Sequence, residues 1–256
     1  MFRRAIVRQP GENFAKGLTT ADLGKPDLEL TLVQHGAYCR ALELCGLEVI
    51  RLPADAAHPD ATFVEDTAVL TSRAAILTRP GAALRVGEVA GIRDIVRRFY
   101  TRIQQIEAPG TLDGGDVCQA SSHFFIGISN RTNEEGVRQL AAFLDAQGYT
   151  SCAVDIREMR SILHLKSGIA YLEDNTLVVT EELADRKQFS TFDRIIVPVE
   201  ETYSCNCVRV NERVLVAAGF PQLHGELERR GFQPLLLEMS EFRKMDGGLS
   251  CLSLRF

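Results

Sequence analysis

The sequence predicts an α/β fold of five similar units that close radially, each with two paired strands, a helix and a third strand. Two observations support this architecture. The order strand, tight turn, strand, helix, strand recurs four times between residues 64 and 237. The two ends of the chain supply the parts of a fifth unit. A period of about 50 residues is typical of modules that cannot bury their own apolar face without neighbours.

The first unit is expected to combine the beginning and the end of the chain. Its predicted parts are a strand at 5–7, a helix from Asp27 to Cys45 that ends at Gly46, and a strand at 48–52. The terminal run 251–255 should pair with the strand at 5–7. That pairing would close the ring and remove open sheet edges.

The four internal units repeat the same order of elements. Asn133 is expected to cap the helix of the second of them, and Gly148 to follow its last turn. A doubly wound α/β sheet is the competing fold, but strands are paired before each helix and no strand–GxGxxG–helix opening occurs. The predicted elements are 64–70, 74–78, 88–99 and 102–107; 116–119, 123–128, 133–147 and 151–156; 169–172, 176–179, a short helix from 181 and 194–199; 207–210, 214–217, 222–230 and 234–237.

Composition excludes several classes of protein. A formal net charge of −5 argues against a nucleic-acid surface, which needs a basic face. Seven cysteines, an odd number scattered through apolar stretches, predict reduced thiols in the cytoplasm rather than a disulfide framework. The N-terminal residues do not form the apolar core of a signal peptide, and no apolar run approaches about 18 residues, so we expect no contact with a membrane.

Four clusters of polar residues interrupt apolar strands, where a structural role would favour hydrophobic side chains. Each has an ordinary explanation on its own: a solvated strand end, a hairpin turn, a lone histidine of core or surface, and a buried cysteine. Two neighbouring acids at the head of an apolar strand, however, cannot both face a core without partners. The clusters are Asp60 with Glu65 and Asp66, Asp113-Gly114-Gly115-Asp116, His164-Leu165-Lys166, and Asp246-Gly247-Gly248-Leu249-Ser250-Cys251.

The order of these clusters is more informative than any one of them. Each begins or ends a strand of a different unit, and such strand ends converge near the axis of a radial fold. A cysteine nucleophile needs a histidine to manage its proton, and the histidine needs a carboxylate to fix its tautomer and orientation. Carboxylates beyond that requirement indicate a cationic substrate.

These residues resemble those of the dimethylarginine dimethylaminohydrolase family, guanidino-modifying enzymes with the pentein fold, a five-bladed α/β propeller. The resemblance runs the full length and implies a single domain spanning residues 1–256. The six motifs that carry it are Gly17-Leu18-Thr19, Phe63-Val64-Glu65-Asp66, Leu112-Asp113-Gly114-Gly115-Asp116, Gly127-Ile128-Ser129-Asn130-Arg131-Thr132-Asn133, His164-Leu165-Lys166 and the terminal Asp246–Cys251 block.

The resemblance implies a role for each candidate residue. Cys251 would be the nucleophile, His164 the general acid and base, and Asp113 the carboxylate that orients His164. The implied substrate contacts are Asp66 and Glu65 at the guanidinium, Asp60 at the α-amino group, Arg85 and Arg131 at the α-carboxylate, and Leu18 in a mobile lid.

The chemistry of these residue types agrees with the implied roles. A guanidinium stays protonated at physiological pH, so carboxylates must localise its charge before its central carbon can be attacked. A thiol is only a few per cent thiolate at neutral pH, and a bound cation would favour the Cys251 thiolate. Attack would give a covalent thiouronium, which water converts to citrulline. No metal or other cofactor is expected, because the substrate carries its own positive charge.

Lys166 bears on the choice between methylated and free arginine. Similar arginine deiminases and amidinotransferases place an aspartate two residues after the catalytic histidine, where it grips the guanidinium from its second side. Here that position is Lys166. One side of the guanidinium can then carry methyl groups, so the prediction favours Nω-methylated arginine. An arginine deiminase-like hydrolase of free arginine or another guanidino compound remains the alternative.

Other classes of protein explain the motifs less well. A non-catalytic pentein, such as a ribosome-binding anti-association factor, would need no coherent set of cysteine, histidine and acids. A papain-like protease would carry its cysteine in the N-terminal part of the chain. A zinc site at Cys205-Asn206-Cys207 would need a second pair of ligands, and an alternating strand with one cysteine inward and one outward is favoured instead. The expected partner is a small guanidino amino acid; a homodimer is left open.

Overall fold

Five three-stranded sheets are the main feature of the computed structural model, which describes residues 1–256. In each sheet the middle strand pairs antiparallel with one neighbour and parallel with the other. A helix connects the two parallel strands in every case. The predicted recurrence of two strands, a helix and a third strand is therefore confirmed.

Fifteen strands and six α-helices make up these sheets and their connections. The strands are β1 (Arg4–Arg8), β2 (Glu48–Leu52), β3 (Ala68–Leu70), β4 (Ala75–Leu77), β5 (Ile103–Gln105), β6 (Val117–Ala120), β7 (His123–Ile128), β8 (Thr150–Asp155), β9 (Ile169–Tyr171), β10 (Thr176–Thr180), β11 (Asp193–Val197), β12 (Val208–Val210), β13 (Arg213–Ala217), β14 (Gln233–Leu237) and β15 (Leu254–Arg255). The helices are α1 (Leu28–Leu44), α2 (Glu88–Val96), α3 (Glu134–Asp145), α4 (Glu181–Ala184), α5 (Pro221–Arg229) and α6 (Ser240–Arg243).

The chain divides into two compact units. The first unit comprises Met1–Val64 and Gly168–Phe256 and contains the sheets β15-β1-β2, β9-β10-β11 and β12-β13-β14. The second unit comprises Glu65–Ser167 and contains the sheets β3-β4-β5 and β6-β7-β8. The single domain expected from the sequence stays a prediction. None of the helices is both long enough and apolar enough to cross a membrane.

Local signals for helix ends are reproduced in the structure. The side chain of Asp27 accepts a hydrogen bond from the Leu30 N–H at the start of α1, and Asn133 accepts one from Gly136 at the start of α3. Gly148 has φ +82°, the left-handed conformation that terminates a helix without a Cβ penalty.

The two ends of the chain share one sheet, as predicted. Strand β15 pairs antiparallel with β1, with Ala5 opposite Arg255 and Ile6 opposite Leu254. The expected start of this strand at Cys251 is wrong, because Cys251 lies in a short 3-10 helix, Ser250–Leu252. The Asn206 side chain fixes this turn: its Oδ1 accepts from the Ser250 N–H at 2.9 Å.

The acidic clusters also lie on 3-10 turns rather than on strands. Val64–Thr67 is a 3-10 helix, so the strand predicted over 64–70 begins only at β3. Gly114–Asp116 forms a second such turn just before β6. Gly114 allows the two turns to meet, since a Cβ there would lie 2.0 Å from the Glu65 carbonyl oxygen. The carboxylates of both clusters are thus carried by two turns whose backbones are packed closely against each other.

The expectation of one inward and one outward cysteine at 205 and 207 is wrong. Cys205 is 0% exposed and Cys207 3% exposed. Cys205 belongs to the 3-10 helix Val199–Cys205 and Cys207 precedes β12, so the alternation of a strand does not apply to them. Both thiols pack in the same apolar cluster of the first unit.

Candidate active site

A buried histidine–aspartate pair forms the centre of the candidate site in the second unit. His164 Nε2 lies 3.0 Å from Asp113 Oδ2, and Asp113 is 0% exposed. The other oxygen of Asp113 accepts from the Gly81 N–H at 2.8 Å, and the Asp113 N–H donates to Thr132 Oγ1 at 3.1 Å. Asp113 is thereby held on both sides and fixes the orientation of the imidazole ring.

Three carboxylates determine the charge of His164. Burial alone would lower its pKa, but the negative charges of Asp66, Asp116 and Asp113 outweigh that effect and raise the pKa from 6.5 to about 9. His164 is therefore an imidazolium at neutral pH. A charged imidazole is a proton donor, which is the form required of a general acid.

Asp116 anchors the segment that carries His164, a role that was not predicted from the motifs. Its Oδ1 accepts from the Leu165 N–H at 2.9 Å, while Oδ2 accepts from the hydroxyls of Ser129 at 2.7 Å and Thr132 at 2.6 Å. Burial raises the pKa of Asp116, and the charge of His164 and these hydrogen bonds offset only part of the rise. Its place in the acid-Gly-Gly-acid motif was the available sequence signal.

Asp66 and Arg85 form a buried ion pair beside His164. Arg85 Nη1 donates to Asp66 Oδ2 at 2.5 Å, and Arg85 also binds Glu88 through Nε at 3.0 Å and Nη2 at 2.8 Å. The second oxygen of Asp66 accepts from the Gly115 N–H at 2.8 Å. Burial would raise the pKa of Asp66, but the charges of His164 and Arg85 lower it to about 2. Asp66 is thus a permanent carboxylate that already binds one guanidinium.

The guanidinium of Arg85 is engaged by two carboxylates of the chain itself, and its pKa lies well above the usual value. Burial would lower that pKa, but the charges of Asp66 and Glu88 outweigh it. The family resemblance implies that Arg85 contacts a substrate carboxylate, and this role stays a prediction. Glu88, the first residue of α2, was not identified from the sequence.

Lys166 and Glu65 form a second buried ion pair. Lys166 Nζ lies 2.5 Å from Glu65 Oε1, with side chains 16% and 5% exposed. The sequence singled out both residues but did not pair them. The cation at position 166 therefore neutralises a carboxylate that the resemblance assigns to the substrate guanidinium.

Arg131 follows a different pattern from Arg85. It is half-buried, its N–H donates to Ser129 Oγ at 3.0 Å, and its side chain makes no ion pair. Gly81 packs on the Arg131 backbone, since a Cβ there would lie 2.1 Å from the Arg131 carbonyl oxygen. An unpaired guanidinium fits the predicted contact with an anion, and that role also stays a prediction.

Asp66, Asp113 and His164 are close enough to be considered as metal ligands, with one donor atom of each within 4.8 Å of the others. Their donor atoms are already used: Asp66 accepts from Arg85 and Asp113 accepts from His164. A protonated imidazole has no lone pair for a metal. The set fits an imidazolium among carboxylates better than a metal centre.

Asp60 and Leu18 lie together in the first unit. Both carboxylate oxygens of Asp60 accept from the Leu18 N–H at 3.1 Å. Gly17 permits this approach, since a Cβ there would lie 2.3 Å from Asp60 Oδ1. The same loop is tied to the segment before the terminal strand, because the Thr20 N–H donates to Asp246 Oδ2 at 2.5 Å.

Cys251 is half-buried and also belongs to the first unit. Its N–H donates to the Gly248 carbonyl at 3.2 Å, within the 3-10 turn. Tyr203, which the sequence did not reveal, donates from its hydroxyl to the Gly247 carbonyl at 2.8 Å. Burial raises the pKa of Tyr203, and negative charge at Cys251 raises it further, so the phenol stays protonated beside the thiol.

The predicted residues are thus distributed over both units. The second unit brings together His164 with Asp113 and Asp66 with Arg85, and it also contains Glu65 and Arg131. The first unit contains Cys251 and the pair Asp60 and Leu18.

Comparisons with known proteins point to one group. The family model of arginine deiminase matches residues 59–210. The chain is 46% identical over 257 aligned residues to the N(G),N(G)-dimethylarginine dimethylaminohydrolase of Pseudomonas aeruginosa, with 100% of both chains covered. It is 37% identical to the enzyme of the same name from Streptomyces coelicolor, with 99% of this chain and 96% of the relative covered.

Solved structures agree with these matches. A dimethylarginine dimethylaminohydrolase in an adduct with S-methyl-L-thiocitrulline has a TM-score of 0.97 and 45% identity, with 100% of both chains covered. A cysteine-to-serine variant of the Pseudomonas aeruginosa enzyme in complex with citrulline gives the same TM-score, identity and coverage. The N-terminal domain of ArgZ, at 18% identity and a TM-score of 0.88 over 98% of this chain, shows likeness of fold alone. The predicted five-bladed α/β propeller of the penteins is confirmed.

Proposed function

Since the chain belongs to the dimethylarginine dimethylaminohydrolase family, we propose that it hydrolyses Nω-methylated L-arginine to L-citrulline and dimethylamine or methylamine. One structural observation carries the proposal. A buried imidazolium, His164, is hydrogen-bonded to Asp113 and lies beside Asp66, a carboxylate with a pKa of about 2. This cluster offers both a proton for a departing amine and a permanent anion for a guanidinium.

In the first half of the proposed reaction Cys251 is the nucleophile. Its thiolate adds to the central guanidinium carbon, forming an S–C bond and a tetrahedral adduct. The C–N bond to the methylated nitrogen then breaks, and the amine leaves with a proton from His164. The pKa of about 9 supports this role, because His164 begins the cycle protonated. A covalent thiouronium and a neutral imidazole remain.

In the second half water replaces sulfur. The neutral imidazole of His164 accepts a proton from water as oxygen bonds to the thiouronium carbon, and the S–C bond then breaks. The remaining hydroxyl proton goes to the departing sulfur, so the products are citrulline and the Cys251 thiol. Asp113 stabilises the imidazolium that forms again, through the hydrogen bond to Nε2. No step requires a cofactor.

The proposed substrate contacts follow the charges of the candidate residues. The guanidinium contact is assigned to Asp66, and its ion pair with the guanidinium of Arg85 supports this assignment. Glu65 is the proposed neighbouring contact, and Asp60 the contact for the α-amino group. The α-carboxylate is assigned to Arg131 and to Arg85, the latter after a change of partners.

Leu18 and its neighbours are proposed as a lid over the substrate. The N–H of Leu18 donates to the carboxylate of Asp60 at 3.1 Å, so an amino group that binds Asp60 also affects the hydrogen bond that holds the lid.

We further propose that the enzyme is cytoplasmic, a location that its seven free cysteines support.

Lys166 supports methylated arginine over free arginine. It binds Glu65 and places a cation, not a second carboxylate, two residues after His164. A methylated nitrogen of the substrate guanidinium can then face this position, because no carboxylate there requires an N–H from it. The competing activity is an arginine deiminase-like hydrolysis of free arginine.

Citrulline release from dimethylarginine, monomethylarginine, free arginine and agmatine tests the proposal. We expect kcat/KM for a methylated arginine to exceed that for free arginine by at least about tenfold, which is about 1.4 kcal/mol. Competition between the two substrates in one reaction gives the ratio directly. Preferential consumption of free arginine would contradict the proposal and favour the deiminase reaction.

A further inference from the structure

The second unit contains a cleft of about 300 Å³ that the proposed reaction does not use. It lies against α2, beside β4 and β5. One wall is apolar and consists of Val86, Val89 and Ala90. Arg79 and Arg93 also line the cleft. This size is at the small end of ligand pockets, which begin at about 300 Å³.

Neither of the two arginines is paired with a carboxylate. Arg79 Nη1 donates to the Gly110 carbonyl at 3.2 Å, and Arg93 Nη2 donates to Gln105 Oε1, so both partners are neutral. Neither guanidinium makes an ion pair, although both are half-buried. A guanidinium has five N–H donors, and several of each remain for a ligand. The arrangement attracts an anion.

The lining also determines which anion fits. Glu107 contributes to the cleft and makes no ion pair, so it disfavours a ligand with more than one negative charge. The apolar wall favours a ligand with an aliphatic body. We propose that this cleft binds a small aliphatic monocarboxylate, with its carboxylate on Arg79 and Arg93 and its hydrocarbon on the wall of Val86, Val89 and Ala90.

The cleft shares a wall with the candidate active site. Thr78 lines the cleft and donates from Oγ1 to the backbone carbonyl of Asp66 at 2.5 Å. Val86 directly follows Arg85, the guanidinium partner of Asp66. A ligand in the cleft therefore contacts the segment that positions Asp66. Binding of that ligand should change KM for the substrate.

Binding is measured by NMR titration with isovalerate as the probe, on the full chain. Arg93→Gln should weaken binding at least about tenfold, because one of two carboxylate contacts is lost. Arg97→Gln is the matched control: it lies just beyond the same helix, its guanidinium is exposed, and it does not line the cleft. Arg131→Gln separates this site from the proposed substrate site and should leave isovalerate binding unchanged. The basal turnover of Arg93→Gln should equal that of the wild type.

Two further measurements keep the result independent of variant folding. In the wild type, isovalerate methyl groups should show nuclear Overhauser effects to the methyl groups of Val86 and Val89. Inorganic phosphate should bind at least about tenfold more weakly than isovalerate. Equal affinity of isovalerate for the wild type and Arg93→Gln, absence of these Overhauser effects, or tighter binding of phosphate would each overturn the inference. Isovalerate binding, the Overhauser effects and phosphate binding are all measured without the proposed reaction.

Discussion

Replacement of Asp116 by Asn should lower the pH at which His164, the proposed general acid, loses its proton. Burial lowers the pKa of His164, yet the charges of Asp66, Asp116 and Asp113 raise it from 6.5 to about 9. Because burial opposes them, the combined effect of the three carboxylates exceeds this net rise. Removal of one should therefore lower the His164 pKa by about one unit, or about 1.4 kcal/mol.

The substitution removes charge while it preserves the hydrogen bonds. The Asn oxygen can still accept from the Leu165 N–H, which Asp116 Oδ1 now accepts at 2.9 Å. The Asn amino group can donate to Ser129 and Thr132, whose hydroxyls accept as readily as they donate. The anchored position of His164 should thus persist, and the change in pKa is isolated from a change in geometry.

The assay is the pH dependence of kcat/KM, which reports ionisations of the free enzyme. Activity should fall as pH rises through about 9 in the wild type, because the protonated form of His164 is lost. In Asp116→Asn the fall should be centred about one unit lower. Asp94→Asn, with a 78% exposed side chain, is the control and should match the wild type. An unchanged descending limb in folded Asp116→Asn would refute the electrostatic argument.

Four further outcomes are expected. Cys251→Ser should abolish turnover with the fold intact, and mass spectrometry of quenched wild type should find the adduct on the Cys251 peptide rather than on another cysteine. Arg131→Gln should raise KM more than it lowers kcat, since it removes the proposed contact with the substrate α-carboxylate; a selective fall in kcat would contradict that role. Lys166→Met removes the Lys166 cation from the buried Glu65 and should lower the free energy of unfolding by about 2 kcal/mol in urea denaturation. Adding Glu65→Gln to that variant should recover part of the loss, and equal stability of Lys166→Met and the wild type would refute the contribution of the pair. Burial lowers the pKa of His35 to about 4, so the unfolded chain binds more protons than the folded chain below pH 6.5. The free energy of unfolding should therefore fall by up to about 3 kcal/mol between pH 6.5 and pH 4, and it should fall less in His35→Gln.

Local sequence signals predicted the elements of the fold better than their boundaries. Helix caps at Asp27 and Asn133 depend on hydrogen bonds within one turn, and both are present. The strand predicted over 64–70 begins with a 3-10 turn instead. That turn depends on packing of Gly114 against the Glu65 carbonyl, residues far apart in the sequence. A pattern of apolar residues contains no information about such an approach.

The candidate site shows the same division between local and tertiary information. Chemistry indicated that a histidine would need a carboxylate, and Asp113 does bind His164. The pairing of Lys166 with Glu65, and of Arg85 with Glu88, could not be read from the chain. Several acids and bases were available for each partner, and only the packing of the second unit selects among them.

The charges buried around His164 bear directly on its proposed service as acid and then as base. His164 shares this buried cluster with a second cation, Arg85, and with four carboxylates, those of Asp66, Glu88, Asp113 and Asp116. The cluster therefore has two more carboxylates than cations, so it attracts a guanidinium. A bound substrate adds a positive charge that those carboxylates must share, and this weakens their hold on the imidazolium proton. The His164 pKa should then be lower in the complex than about 9 in the free protein, and the descending limb of kcat should lie below that of kcat/KM.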